Sequence, residues 1–192
     1  MENKKILLAM PRDYSLSKLI IRNLESIGLT VIYINPEQTE GFKYESFSQR
    51  VLNLYHKVVL GDKSYKRKLR KDYYFKAKYK IINSFDNYDY GLFIRADFFH
   101  DDIIKYCKSK CSNFASYHYD GINRNKEIFN KIHFFDSFFV FDKEDIISNP
   151  SFKFITNFYF DYPEEENISN EFDFYFLGSH HLSRKKMLFN FH

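Results

Sequence analysis

The sequence predicts an α/β protein with a doubly wound parallel sheet, and three observations carry that prediction. The opening reads strand, helix, strand, which implies parallel strands joined by a right-handed crossover. Apolar runs alternate with helical periodicity again after residue 90. Apolar content of 44% and charged content of 28% suit a folded chain rather than a disordered one, and 192 residues suffice for one substantial core with a small annex.

The elements follow in order. Lys5 to Met10 is a short apolar run of the kind buried in parallel sheets. Leu16, Leu19, Ile20, Leu24 and Ile27 recur at helical spacing, and Gly28 stands where a helix C-terminal cap belongs. Thr30 to Ile34, rich in β-branched residues and ended by Pro36, is a second strand. Phe47, Val51, Leu54, Tyr55 and Val58 predict one helix; Tyr65, Leu69, Tyr73, Ala77 and Ile81, four apart, predict another. Strands are then expected at Gly91 to Ala96, Asn113 to Tyr117, Ser137 to Phe141 and Phe152 to Phe158. Helices are expected between them at Asp101 to Lys110, Asn125 to His133 and Asp142 to Ser148. An acidic, turn-rich linker, Asp161 to Glu171, precedes a last strand at Phe172 to Leu177, a glycine turn at Gly178 and the start of a helix. The expected organisation is a domain over 1–160, a linker over 161–171 and a β-turn-α fragment over 172–192.

Several classes are excluded or weakened. Pro11 and Arg12 end the first apolar run too soon for a secretory leader, and no run approaches the ~18 residues of a membrane span. Cys107 and Cys111, the only cysteines, fit no secreted disulfide framework, so Asn167-Ile168-Ser169 is a chance sequon. A cytoplasmic protein is expected. The 23 Phe and 16 Tyr without Trp accompany abundant Lys, Asn and Ile, a pattern of AT-rich coding rather than of function. No metal is expected: there is no Asp-x-Asp, the two cysteines read as ordinary thiols on a helical face, and adjacent His180 and His181 would diverge on a helix.

The stretch YHYDGINRNKEIFNKIHFFDSFFVFDKEDI, Tyr117 to Ile146, resembles bacterial GT-B-like glycosyltransferases of surface-polysaccharide synthesis, including CgeB-like relatives. The resemblance rests on Tyr117-His118-Tyr119-Asp120, on Phe135 to Asp142 with Lys143-Glu144-Asp145, and on the preceding LFIRADFF, Leu92 to Phe99. DFYFLGSHHLSRKKML, from Asp173, resembles the opening of that family's donor-binding lobe. The likeness spans roughly Leu92 to Leu188. It implies a Rossmann-like acceptor lobe followed by the start of a donor lobe. The activity implied is transfer of a sugar from a nucleotide-sugar donor to a capsule or lipopolysaccharide glycan, with neither cofactor nor obligatory metal. A chain ending at His192 is then expected to lack most of the donor lobe and to be inactive alone. Alternatives are a non-catalytic subunit that pairs with a separate donor-lobe chain, and an unrelated flavodoxin-like module.

In open α/β sheets ligands sit beyond the carboxyl ends of the strands. The polar residues placed there by the pattern are Arg12 and Asp13 after the first strand, Arg95 and Asp97 after Ile94, and His118 and Asp120 further on. Asp120, Asp97 and His118 are candidate bases for an acceptor hydroxyl; Arg12, Asp13 and Arg95 are candidate acceptor or anion contacts. Gly178, Ser179 and Arg184 are candidate phosphate contacts of the donor. Carboxylates at strand-to-helix turns also serve simply as helix caps. Nine Lys and Arg fall between Lys63 and Lys80, with only Asp72 against them. Lys66, Arg67, Arg70 and Lys71 are expected to face solvent as a basic patch, either simply solvated or resting on an anionic inner-membrane surface. No nucleic-acid-binding motif accompanies them.

Overall fold

A computed structural model describes residues 3–12, 16–36 and 42–156. All belong to the first of the two units into which the chain divides, Met1–Phe160. Asp13, Gly178, Ser179 and Arg184, the linker and the C-terminal β-turn-α stretch lie outside the described residues.

Among the described residues six parallel strands form one sheet in the order β2-β1-β3-β4-β5-β6: β1 Lys5–Ala9, β2 Thr30–Ile34, β3 Tyr88–Ile94, β4 Cys111–His118, β5 Ser137–Val140 and β6 Lys153–Phe154. The helices are α1 Leu16–Ser26, α2 Phe47–Val58, α3 Ser64–Ile82, α4 Asp101–Lys110 and α5 Lys143–Ser148. The chain moves outward from β1 to β2, then reverses across β1 to β3 and continues one way. Right-handed crossovers in opposite directions put their helices on opposite faces. Accordingly α1, through Ile20, packs with Leu8, Met10, Ile94 and Tyr117 on one face. Helices α3 and α4 bury Tyr74, Ile82, Ile103, Ile104 and Cys107 against Leu7, Ala9 and Phe93 on the other. Strand β1 therefore contributes to both cores, which is why Ile6 to Met10 is uninterrupted and apolar. The fold is Rossmann-like and doubly wound.

Local chemistry sets the boundaries. Gly28, at φ +87°, ends α1 with paired bonds from its own N–H to the Glu25 carbonyl and from the Leu29 N–H to the Leu24 carbonyl. That is the Schellman arrangement a C-terminal glycine permits. Ser46 caps α2 and Asp142 caps α5. Tyr90 and Asn113 continue a close β3–β4 register, and Gly91 lets the Phe114 ring lie against the β3 backbone.

Some expectations change. Ile27, assigned to the apolar stripe of α1, is 73% exposed because the helix has already turned into its cap. Strand β3 begins earlier than expected and stops at Ile94, since Arg95 takes left-handed backbone angles. The helix expected over Asn125 to His133 is instead a series of 3₁₀ turns, Lys126–Asn130 and Ile132–Phe134. Tertiary contacts dominate there: Asn125 and Lys131 are both drawn to the turn after β3, while Ile128 is buried. The strand expected from Phe152 pairs only over Lys153–Phe154 within the described residues.

Candidate functional site

The turns that follow β3 and β4 converge at the carboxyl end of the sheet, where parallel α/β folds place their ligands. Arg95 follows β3 directly. Its backbone is left-handed, φ 60° and ψ 60°, and it is the one non-glycine with positive φ among the described residues. Such a conformation costs an L-residue about 1–2 kcal/mol and persists only where the surroundings fix it. The fixing contacts are explicit. Nε donates to Asp97 Oδ1 at 2.9 Å and Nη2 to Asp97 Oδ2 at 2.8 Å, a two-point pairing. Nη1 donates to Asp120 Oδ2, and the backbone N–H donates to the Tyr117 carbonyl at 3.1 Å. The guanidinium also lies 4.6 Å from the Phe98 ring centroid and 5.6 Å from that of Tyr119.

Three of the sequence-derived base candidates now separate by accessibility. The Asp97 side chain is 2% exposed and is held by both Arg95 and Asn125 Nδ2. His118, the last residue of β4, is fully buried. Its Nδ1 lies 3.7 Å from Asp97 Oδ1, too far for a hydrogen bond, and neither ring nitrogen has a hydrogen-bond partner among the described residues. Burial pushes its pKa down, Asp97 pulls it up, and Arg95 pushes it down again, for a net lowering that favours the neutral imidazole. Neither group can meet an acceptor hydroxyl in this conformation. Asp120 can: its side chain is 33% exposed, only Oδ2 takes the Arg95 bond, and Oδ1 has no hydrogen bond among the described residues. For Arg95 itself, burial alone would lower the pKa, but the bonds and charges of Asp97 and Asp120 outweigh it and raise the value. Arg95 is a fixed cation.

The supporting residues escaped sequence reasoning. Lys131 Nζ donates to the carbonyls of Asp97, at 3.2 Å, and Phe99, closing the turn after β3. Asp145, buried, accepts the Ile122 N–H at 3.1 Å and fixes the loop after β4. Asp145 stands in the quoted DKEDI stretch, so its presence was legible; that it reaches back across 23 residues was not. Arg12 is exposed, three residues beyond β1 at the same end of the sheet, with no polar contact to the Arg95 cluster among the described residues.

Lys66, Arg67, Arg70 and Lys71 lie close together on α3. They line a cavity of about 710 Å³ together with Lys57, Lys63, Tyr74, Phe98 and His100. Lys66 is half-buried and the other three are exposed. A second hollow of about 510 Å³ shares Lys71, Phe98 and His100 with it and reaches Asp97 and Lys131. No helix among the described residues is long and apolar enough to cross a membrane. Comparison with known families and with curated proteins gives no significant match to a family model or to a single protein.

Proposed function

We propose that this lobe is the acceptor side of a GT-B-like glycosyltransferase that transfers a sugar from a nucleotide-sugar donor to a bacterial surface glycan. The observation that carries the reading is Asp120, an accessible carboxylate at the carboxyl edge of the sheet within the Tyr117 to Asp120 segment of the family resemblance. Its second oxygen is immobilised by Arg95, which is itself locked by Asp97. In this reading Oδ1 of Asp120 accepts the proton of the attacking hydroxyl, a role worth roughly 10²–10⁴ in rate where base and hydroxyl are well placed. Arg95 is the positioning residue. Asp97, itself bonded by Asn125, keeps it in place.

Saturation-transfer NMR with capsule and lipopolysaccharide oligosaccharides tests the acceptor role. The expected result is transfer to at least one glycan, weakened about tenfold by Asp120→Asn. Equal signals for the wild-type chain and Asp120→Asn, or no glycan bound at all, would remove the reading. A free-standing binding module is the second reading, favoured by the strand order β2-β1-β3-β4-β5, which is the flavodoxin-like one. Saturable binding of a small ligand without any glycan binding would select it.

A further inference from the structure

Helical spacing gathers the basic residues of α3 on one side. Lys63, Arg67, Arg70 and Tyr74 succeed one another at steps of three or four, and Lys66 and Lys71 flank them, so one face of the helix collects five cations. Lys57, from the last turn of α2, faces the same cavity. Like charges three and four apart destabilise a helix by about 0.2–0.5 kcal/mol per pair. A solvated helix would relieve this with interspersed acids, yet among the described residues no carboxylate lines this cavity. Of the six cations only Lys71 has an acidic partner among the described residues, Asp102 at 3.3 Å.

Tyr74, 4% exposed, contributes to the cavity wall, while its hydroxyl is enclosed. The position is also significant. Pro36 follows β2, and Phe98 and His100 follow β3, so the cavity spans the carboxyl ends of both neighbours of β1. The winding reverses between β1 and β3, the switch point at which doubly wound sheets bind ligands.

We infer that this cavity is a binding site for a ligand carrying a diphosphate or an equivalent run of phosphates. Six cations around one concavity exceed what a single carboxylate could neutralise, whereas two adjacent phosphates offer several acceptor oxygens to Arg forks and Lys ammoniums. A volume of about 710 Å³ suits a small ligand, and Phe98, 53% exposed, supplies an apolar wall for the group that bears the phosphates. The phosphates can arrive on a soluble molecule or on a lipid head; the recognition chemistry is the same. The inference stands on the cavity alone and does not depend on glycosyl transfer.

Titration calorimetry of the whole chain with inorganic pyrophosphate, and with sulfate for comparison, tests it. Pyrophosphate is expected to bind one site, about tenfold or more tighter than sulfate, with affinity falling as salt rises. The combined variant Lys66→Gln, Arg67→Gln, Arg70→Gln should lose about 30-fold or more, each charge-assisted contact removed weakening the complex. Removing the same charge elsewhere, with Lys18→Gln, Arg22→Gln and Lys126→Gln, should change affinity less than about threefold, since those exposed residues are outside the cavity. Phosphatidylcholine vesicles containing a polyprenyl diphosphate then separate the sources: displacement of pyrophosphate identifies a lipid-borne ligand, and lack of displacement a soluble one. Absence of saturable pyrophosphate binding, or equal losses in the cavity and control variants, would overturn the site. Glycan binding measured on the same variants reports separately on the acceptor role.

Discussion

At the scale of the residue, two aspartates paired to one arginine have different work. Asp97 is buried and shares two bonds with Arg95; Asp120 is a third exposed and shares one. Asp97→Ala strands a largely buried guanidinium and is expected to cost about 3–5 kcal/mol, whereas Asp120→Asn should cost under about 1 kcal/mol, as partly exposed pairs do. Urea unfolding of both variants measures the contrast, and equal losses would refute this division. His118 gives a pH signature. Its pKa is lowered by burial from the ordinary value near 6.5, so the unfolded chain takes up a proton at a pH where the folded chain does not. Its contribution is therefore full above about pH 6.5 and is lost as pH falls from there toward the folded value. His100, lowered by burial and by Lys71 and Lys131, adds a slope of the same sign. The urea midpoint should fall between pH 7.5 and about 5.5, and His118→Asn should flatten that fall. A midpoint that rises on acidification would contradict the assignment.

At the scale of the element, two glycines are needed for different reasons. A methyl group on Gly91 would lie 2.5 Å from the Phe114 ring and 2.7 Å from Cys111 Sγ, both packed between β3 and β4. Gly91→Ala is thus an overpacking change, expected to cost about 1–3 kcal/mol. Gly28 has open space around it but φ +87°, so Gly28→Ala carries only backbone strain, about 1 kcal/mol, and Gly28→Asn less. Thermal denaturation of the three variants should rank them Gly91→Ala, Gly28→Ala, Gly28→Asn in decreasing loss. A neutral Gly91→Ala would mean that the Phe114 ring relaxes at no cost.

At the scale of the whole molecule, the order β2-β1-β3-β4-β5-β6 makes the sheet stiff at its centre and poorly anchored over α2. Strands β1, β3 and β4 are paired on both sides, and Leu7, Leu8, Phe93 and Phe114 are buried among them. Helix α2 has no buried residue; Phe47, Leu54 and Val58 are 78%, 61% and 69% exposed. Local opening needs little energy where little apolar surface is buried. Hydrogen exchange should therefore protect amides of β3 orders of magnitude longer than those of α2. Comparable protection of the two segments would disprove this ranking. The same loose attachment leaves Lys57, on α2, able to adjust to an anion in the neighbouring cavity.

The helix and strand pattern of this protein follows from local rules, and those rules were readable. The apolar run Ile6 to Met10, the four-residue stripe Tyr65 to Ile81 and the cap at Gly28 each reflect one element's own periodicity or backbone need. Residues at the carboxyl edge were legible for the same reason, because they follow apolar runs; Arg95, Asp97, His118 and Asp120 do meet there. What tertiary structure alone decided is which of them faces solvent. Burial of Asp97 and His118 and exposure of Asp120 depend on how the turns after β3 and β4 cross, and on Lys131 and Asp145 reaching back from distant positions. The same holds for the basic stretch. Periodicity places Lys66, Arg67, Arg70 and Lys71 near one another, yet only the packing of α2, α3 and the β3 turn makes a cavity of them. Packing likewise buries Lys78 of the same helix, where its ammonium donates to Asn35 at 2.9 Å. Local sequence fixes a side chain's position along its element; the side chain's surroundings are set by residues far along the chain, which no local window contains.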